Sequence, residues 1–425
     1  MGVERKIPPL PTPQRREIEI LRELPSEIAL VLWQESRHMR DWSESPPESR
    51  RSLFPPAPTG SVLEKRRHAL ASASGPPTDA LQTIWNAKGS PLIADAGSLG
   101  AACFELARWA ERREHRQTAI EWAEIAARID PENPKFANLA GRLNRNENDY
   151  ERAEIWFKRG VAFARDQDDK VELIRGHLGY GRLCTELGRL RDARMHLNTG
   201  SRLAKKHGPP SLAAEAQHDL CALLISHGHY HEAEDRARRA LWLYGKTHRR
   251  LPYFGGDVAL LFVLEGDYLN AARILPTVVR LIQQPSVRTA MLALNARALA
   301  GAGRIDDAVV ARTRALKMLA KHDALEPLTR WHLADSARLA GDWNRADEEA
   351  ARALEAATAA KDRETAKHTV RLLDLIRERA PALARPVRSG DEGFRQFFRL
   401  LRERLSTWSP RRARAWRPPW NEWAA

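Results

Sequence analysis

The side chains best suited to chemistry in this chain are histidines. His227, His229 and His231 alternate along the chain with His218 nearby, and imidazoles so spaced are candidate ligands for a transition metal. Glu215 and Glu232 accompany them, supplying the kind of carboxylate that takes part in acid–base work beside a histidine. The chain's own periodicity argues for a plainer role. His229 follows the glycine of a turn that recurs, and the same slot elsewhere holds Arg189, Asp267, Arg304 and Asp342, which are ordinary solvent-facing residues. The cysteines, Cys103, Cys184 and Cys221, stand far apart without a CxxC pair. Buried small residues are expected there, with no disulfide framework and no thiolate metal site, and a reducing compartment is favoured. The sequence holds no phosphate-cradling glycine loop, no HExxH and no Gly-x-Ser-x-Gly. It therefore predicts no catalytic residue, no metal site and no cofactor, and so no enzyme.

Those histidines sit in one copy of a repeated turn. Gly188 to Ala193, Gly228 to Ala233, Gly266 to Ala271, Gly303 to Ala308 and Gly341 to Ala346 all read Gly-x-apolar-x-x-Ala, except that His229-Tyr230 and its counterparts vary in the apolar type. An earlier copy, Asn148 to Ala153, has Asn in place of Gly, and both residues tolerate the positive φ of a tight interhelical turn. A degenerate first copy ends at Ala119. The closing alanines are separated by 34, 40, 40, 38, 37 and 38 residues, a quasi-period of stacked helical hairpins.

Twelve residues before each closing alanine stand Ala107, Gly141, Gly181, Cys221, Ala259, Ala296 and Ala334, and seven after it stand Ala126, Gly160, Gly200, Ala240, Val278, Ala315 and Ala353. Small residues in both registers let two helices approach closely, and a Leu or an aromatic there would hold them apart. The first full unit, residues 101–134, carries Leu106-Ala107 in its first helix, Ala119, Ala123 and Ala126 in its second, and Pro131 after it. On these residues the chain resembles the tetratricopeptide repeat (TPR) family. The resemblance implies an all-α fold, a right-handed α-solenoid of about seven TPR-like helical hairpins with N-terminal helices and C-terminal capping helices. Units longer than the family's usual repeat, and a Pro mostly missing after the second helix, predict lengthened second helices and connections such as Gly208-Pro209-Pro210.

The flanks are read from composition. Residues 1–42 form an N-terminal extension, with Pro8, Pro9, Pro11 and Pro13 enforcing a mobile, extended start, followed by one or two helices around Pro25. Residues 43–61 are a Pro/Ser-rich linker, within which Leu53-Phe54 is expected to tack the linker to the fold, the alternative being a short recognition motif. Leading helices follow over 62–93, and the TPR-like solenoid spans 94–360. Residues 361–408 supply a capping helix and then an amphipathic one with Phe394, Phe397, Phe398, Leu401, Leu405 and Trp408 on one side. That last helix is expected to pack on the solenoid or on a second copy of it, giving self-association, rather than lie on a membrane. Residues 409–425 form an Arg/Trp-rich tail. No secretory signal and no membrane-length apolar run is visible, which predicts a cytoplasmic protein.

The formal net charge is +14, and of 69 basic residues 13 are lysine, leaving 56 arginines. Guanidinium groups bind carboxylate and phosphate bidentately. The family resemblance implies that chosen first-helix positions line a concave groove for an extended peptide. Read onto this chain, they are Arg108, Lys135, Asn138, Arg142, Arg145, Arg175 and Arg182 at one end, and Leu260, Val263 and Trp331 at the other, with Ile225, Tyr253, Arg297 and Arg338 among them. The expected function is a protein-interaction scaffold or adaptor that holds an acidic or carboxylate-bearing segment of a protein partner. The alternative is a nucleic-acid-binding repeat protein that uses the basic groove and the Arg/Trp tail.

Overall fold

The computed structural model describes residues 7–14, 16–53, 78–381 and 391–410, with isolated positions between 60 and 71. Among them the regular structure is helical and no strand occurs. The helices, numbered in chain order, are α1 (Glu17–Glu23), α2 (Ser26–Glu44), α3 (Arg50–Leu53), α4 (Thr78–Gly89), α5 (Ala96–Arg112), α6 (Arg116–Ile129), α7 (Pro134–Asn146), α8 (Tyr150–Asp166), α9 (Lys170–Glu186) and α10 (Leu190–His207). They continue with α11 (Pro210–Ser226), α12 (Tyr230–Tyr244), α13 (Leu251–Leu264), α14 (Tyr268–Leu281), α15 (Pro285–Gly301), α16 (Ile305–Leu319), α17 (Glu326–Leu339), α18 (Trp343–Ala359), α19 (Arg363–Arg377) and α20 (Glu392–Thr407). The chain divides into two compact units, Met1–Leu183 and Cys184–Ala425.

One local rule builds every hairpin. The turn residue takes positive φ at Gly188, Gly228, Gly266, Gly303 and Gly341, between 71° and 82°. The next N–H then donates to the carbonyl five residues back, as in Arg189 to Cys184, His229 to Leu224 and Arg304 to Leu299. This closes the helix with its last carbonyls satisfied. Asn148 does the same at φ 58°. The degenerate first copy uses Glu114 at φ 64°, so neither Gly nor Asn marks it in the sequence. Where the following residue is Asp149, Asp267 or Asp342, its carboxylate caps the next helix by accepting from the backbone N–H three residues on. The extra length of the units is shared: α5, α9, α11 and α15, all first helices, run to 17 residues, as do the second helices α8 and α18, and the second helix α10 reaches 18. Lengthening is thus not confined to second helices as expected.

In unit 1 the small-residue register makes close contact. A Cβ on Gly141 would meet the Phe157 ring at 3.0 Å, and one on Gly160 would run into the Asn138 side chain. The core gathers Trp42, Trp85, Trp122 and Trp156, all essentially inaccessible. Helices α1 and α2 pack on α6, and α4 packs on α5. Glu23 of α1 caps α6 from outside, accepting from the backbone N–H of Gln117 at 2.8 Å and of Thr118 at 2.9 Å. Inside, Lys88 of α4 donates to Glu35 of α2 at 2.8 Å and Trp85 Nε1 donates to the same carboxylate at 3.1 Å.

Two expectations for the N-terminal region change. Residues 7–14 are extended but held, because arginines of α6 and α8 donate to their carbonyls: Arg152 Nη1 to Thr12 at 2.6 Å, Arg159 Nη1 to Pro8 at 2.6 Å, and Arg128 to Pro11. Proline carbonyls keep full acceptor strength while the missing N–H groups leave the segment outside any helix. Within the linker, Pro47–Ser49 forms a 3-10 turn that leads into α3. Arg50 is seated over the Trp42 ring at 4.6 Å and donates to the Ser45 carbonyl at 3.2 Å.

In unit 2, hairpins α11/α12, α13/α14, α15/α16 and α17/α18 follow α10, and α19 covers α18 and α17. Helix α20 does not extend that end. It folds back on the α13/α14 hairpin, with Phe394 5.5 Å from the Phe262 ring, Trp408 Nε1 donating to the His248 carbonyl at 3.0 Å, and Arg404 donating to the Leu241 carbonyl. The tail from Arg411 onward, and Phe54 of the linker motif, lie outside the described residues.

Candidate partner-binding face

The basic groove residues read from the repeat register fall in unit 1, and here the structure adds acidic partners. Arg108 of α5 and Arg142 of α7 converge on Glu111 of α5. Arg108 Nη1 donates to its Oε2 at 2.6 Å, Arg142 Nη2 donates to the same oxygen at 3.0 Å, and Arg142 Nη1 donates to Oε1. All three side chains stay partly open to solvent, at 30%, 29% and 24%. Two guanidinium groups thus share one carboxylate at an accessible position. Lys135 is exposed, its ammonium 4.5 Å from the Phe104 ring centroid.

One helix further, Glu172 at the start of α9 draws in Asn138 and Arg175. Asn138 Nδ2 donates to its carboxylate at 2.9 Å and to its carbonyl at 3.0 Å, and Arg175 Nη1 donates to its Oε1. Asn138 is buried: it ties α7 to α9 rather than lining an open surface. Arg145 is buried as well, donating to Asn146 at 2.8 Å, and Arg182 is half-buried on α9. Sequence reading selected these cations by register and missed their counterions. The signal was local: Arg108 and Glu111, like Glu172 and Arg175, lie three apart on a helix.

The apolar end falls in unit 2 and is corrected by burial. Leu260 is half-buried against α17 and its neighbours. Val263 is inside the core, and Trp331 is covered by the Arg297 guanidinium at 4.6 Å and the His368 ring at 5.3 Å. Spacing placed both on a helix face that further side chains close over. Arg297 and Arg338 turn onto the buried Asp335, at 2.5 Å and 2.6 Å. Burial opposes ionisation of Asp335, but the two guanidinium groups outweigh it and hold its carboxyl below the usual carboxylate range.

The histidines separate. His227 Nδ1 lies 2.9 Å from the Leu223 carbonyl, His229 is exposed near Glu232, His231 is exposed, and His218 is buried. His218 instead links three helices, with Nδ1 2.8 Å from the Tyr244 hydroxyl and Nε2 2.6 Å from Asp257. Beside it Arg250 donates to Glu215 at 2.9 Å. Among the described residues no three His, Cys, Asp or Glu side chains are grouped to hold a metal ion, and no helix is long and apolar enough to cross a membrane. All three cysteines are buried free thiols, and burial pushes Cys103 and Cys221 well up from the usual thiol range.

Neither a family model nor a curated protein matches the chain. Among solved structures it is similar to a Rap protein complexed with competence and sporulation factor, at 12% identity over 83% of this chain and 98% of that one, with a TM-score of 0.36. It is similar also to the Rap conjugation gene regulator of plasmid pLS20 in complex with the Phr* peptide, at 13% identity over 83% and 98% of the two chains, TM-score 0.40. A third is the P58(IPK) TPR domain, at 14% identity over 75% and 98%, TM-score 0.20. The repeated turns and paired helices of the chain itself establish an all-α fold of TPR-like helical hairpins.

Proposed function

We propose that this chain is a non-catalytic, cytoplasmic interaction scaffold whose unit-1 first-helix face, formed by α5, α7 and α9, holds an extended, acidic segment of a protein partner. The observation that supports it is the sharing of Glu111 by Arg108 and Arg142 at a partly exposed site. An incoming carboxylate exchanges with Glu111 at guanidinium groups already oriented for bidentate binding, so little ordering cost remains. Lys135, Arg175 and Arg182 extend the positive row along the same face.

A set of fluorescein-labelled acidic peptides, with neutral peptides of equal length as controls, tests this by anisotropy. Arg142→Ala should weaken binding of the acidic peptides roughly tenfold, the loss of one charge-assisted bidentate contact. Glu111→Gln should strengthen it, because the competing internal carboxylate is removed. Affinities unchanged in both variants would reduce the cluster to a structural ion pair.

A further inference from the structure

A second cationic site lies in unit 2, in the cleft where α20 folds back on α14. A cavity of about 370 Å³ is lined there by Arg273 and Thr277 of α14 and by Phe398, Arg399, Arg402 and Glu403 of α20. Its single carboxylate, Glu403, is held by Lys246 at 3.2 Å on another element. Arg273 donates to the amide oxygen of Asn270 at 3.1 Å, and Arg402 stands 5.9 Å from the Phe398 ring centroid. Neither contact neutralises a charge. Among the described residues no carboxylate lies in ion-pair contact with Arg273, Arg399 or Arg402.

The cations continue in rows beyond the cavity. Arg395, Arg399 and Arg402 follow one exposed side of α20 at intervals of four and three residues, and Arg273 and Arg280 follow one exposed side of α14 seven apart. The three residues from Arg399 to Arg402 advance about 4.5 Å and the four from Arg395 to Arg399 about 6 Å, spacings that long arginine side chains can match to successive phosphates of an extended single strand. Helical spacing by itself does not choose between anions; what favours a base-stacking groove over a general anion site is the partly exposed ring of Phe398 beside the cations, which also packs near Phe262 at 6.1 Å and Phe394 at 6.2 Å. A membrane surface is the poorer occupant. The apolar side of α20, with Phe394, Phe397, Leu401, Leu405 and Trp408, is buried against the unit, so no apolar face is left to enter a bilayer. The sequence after α20 continues the same chemistry, with Arg411, Arg412, Arg414 and Arg417 among Trp416, Trp420 and Trp423.

We infer that the α14/α20 cleft binds single-stranded nucleic acid, with Arg273, Arg399 and Arg402 contacting successive phosphates and Phe398 stacking on a base. The test uses the full chain and a fluorescein-labelled 12-nucleotide oligo(U), followed by anisotropy across a NaCl series. Arg273→Ala/Arg399→Ala/Arg402→Ala changes exposed side chains only. It should weaken binding at least tenfold and make the plot of log affinity against log salt shallower by about 2, three phosphate contacts at about 0.7 each for a single strand. Phe398→Leu should weaken oligo(U) binding while leaving inorganic polyphosphate binding unchanged. The proposal is overturned if the triple variant binds with the wild-type affinity and salt slope, or if Phe398→Leu affects neither ligand. It is also overturned if an oligoglutamate peptide competes as well as oligo(U) at equal charge, which would make the cleft a second acidic-peptide site. Arg142→Ala in unit 1 should leave all these readings unchanged, which separates this site from the proposed peptide face.

Discussion

At the scale of single residues, burial decides which ionisable groups matter. His248 lies between α12 and α13, almost inaccessible, and burial pushes its imidazole down to about 4, against the pull of nearby Glu215 and with Arg250 and Arg249 assisting. The amide N–H of Arg250 donates to its Nδ1 at 3.2 Å, a bond that needs this nitrogen unprotonated. The folded state therefore keeps His248 neutral while the unfolded chain takes up a proton below about pH 6.5. The unfolded state binds more protons in that window, so stability is full above pH 6.5, falls as the pH drops, and levels off near 4. The loss is about 3 kcal/mol. Urea midpoints at pH 7.5, 5.5 and 4 should show the decline, and His248→Gln should flatten it; an equal slope in that variant would assign the acid sensitivity elsewhere. Asp335 and Glu35, both held below the usual carboxylate range, add a further loss at lower pH as they are protonated.

At the scale of elements, legibility followed the range of the cause. The turns were readable because positive φ selects Gly or Asn within a few residues, and Glu114 escaped because its conformation is imposed by the helices around it. The amphipathic pattern of α20 was equally readable, since Phe394, Phe397, Leu401 and Leu405 recur at helical spacing. Where that face docks was not, because α13 and α14 lie more than a hundred residues earlier. Leu401 is wholly buried there. Leu401→Ala should cost about 3 kcal/mol through lost burial and the cavity left behind, read as a lowered urea midpoint. A change under 0.5 kcal/mol would mean that α20 is not docked in solution. The groove prediction split along the same line: register found Arg108, Arg142 and Arg175, and the partners of Arg108 and Arg175 lie three residues away on their own helices, but the pairing of Arg142 with Glu111 and the closing of side chains over Trp331 and Val263 depend on neighbouring helices.

At the scale of the whole molecule, each hydrophobic core is local. The cluster around Trp85, Trp122 and Trp156 belongs to Met1–Leu183, and the one around Phe254, Phe262 and Leu401 belongs to Cys184–Ala425. Repeat arrays whose contacts are between neighbours lose all-or-none cooperativity as they lengthen. The chain should accordingly unfold in more than one step, with a calorimetric enthalpy larger than the van't Hoff value. Equal enthalpies and coincident near- and far-UV transitions would contradict this.

What the amino-acid order determined by itself is the repeat: the hairpin turns, the two small-residue registers and the helical class, all set by interactions reaching no further than about one repeat. The tertiary structure alone decided which charges meet between helices and where residues 7–14 and α20 dock. Arg152 meets the Thr12 carbonyl across 140 residues, Arg159 meets Pro8 across 151, and Arg142 meets Glu111 across 31. The physical reason is that periodicity records which side of a helix a residue occupies, whereas a salt bridge or a docked segment depends on the distance between helices, which no residue type encodes.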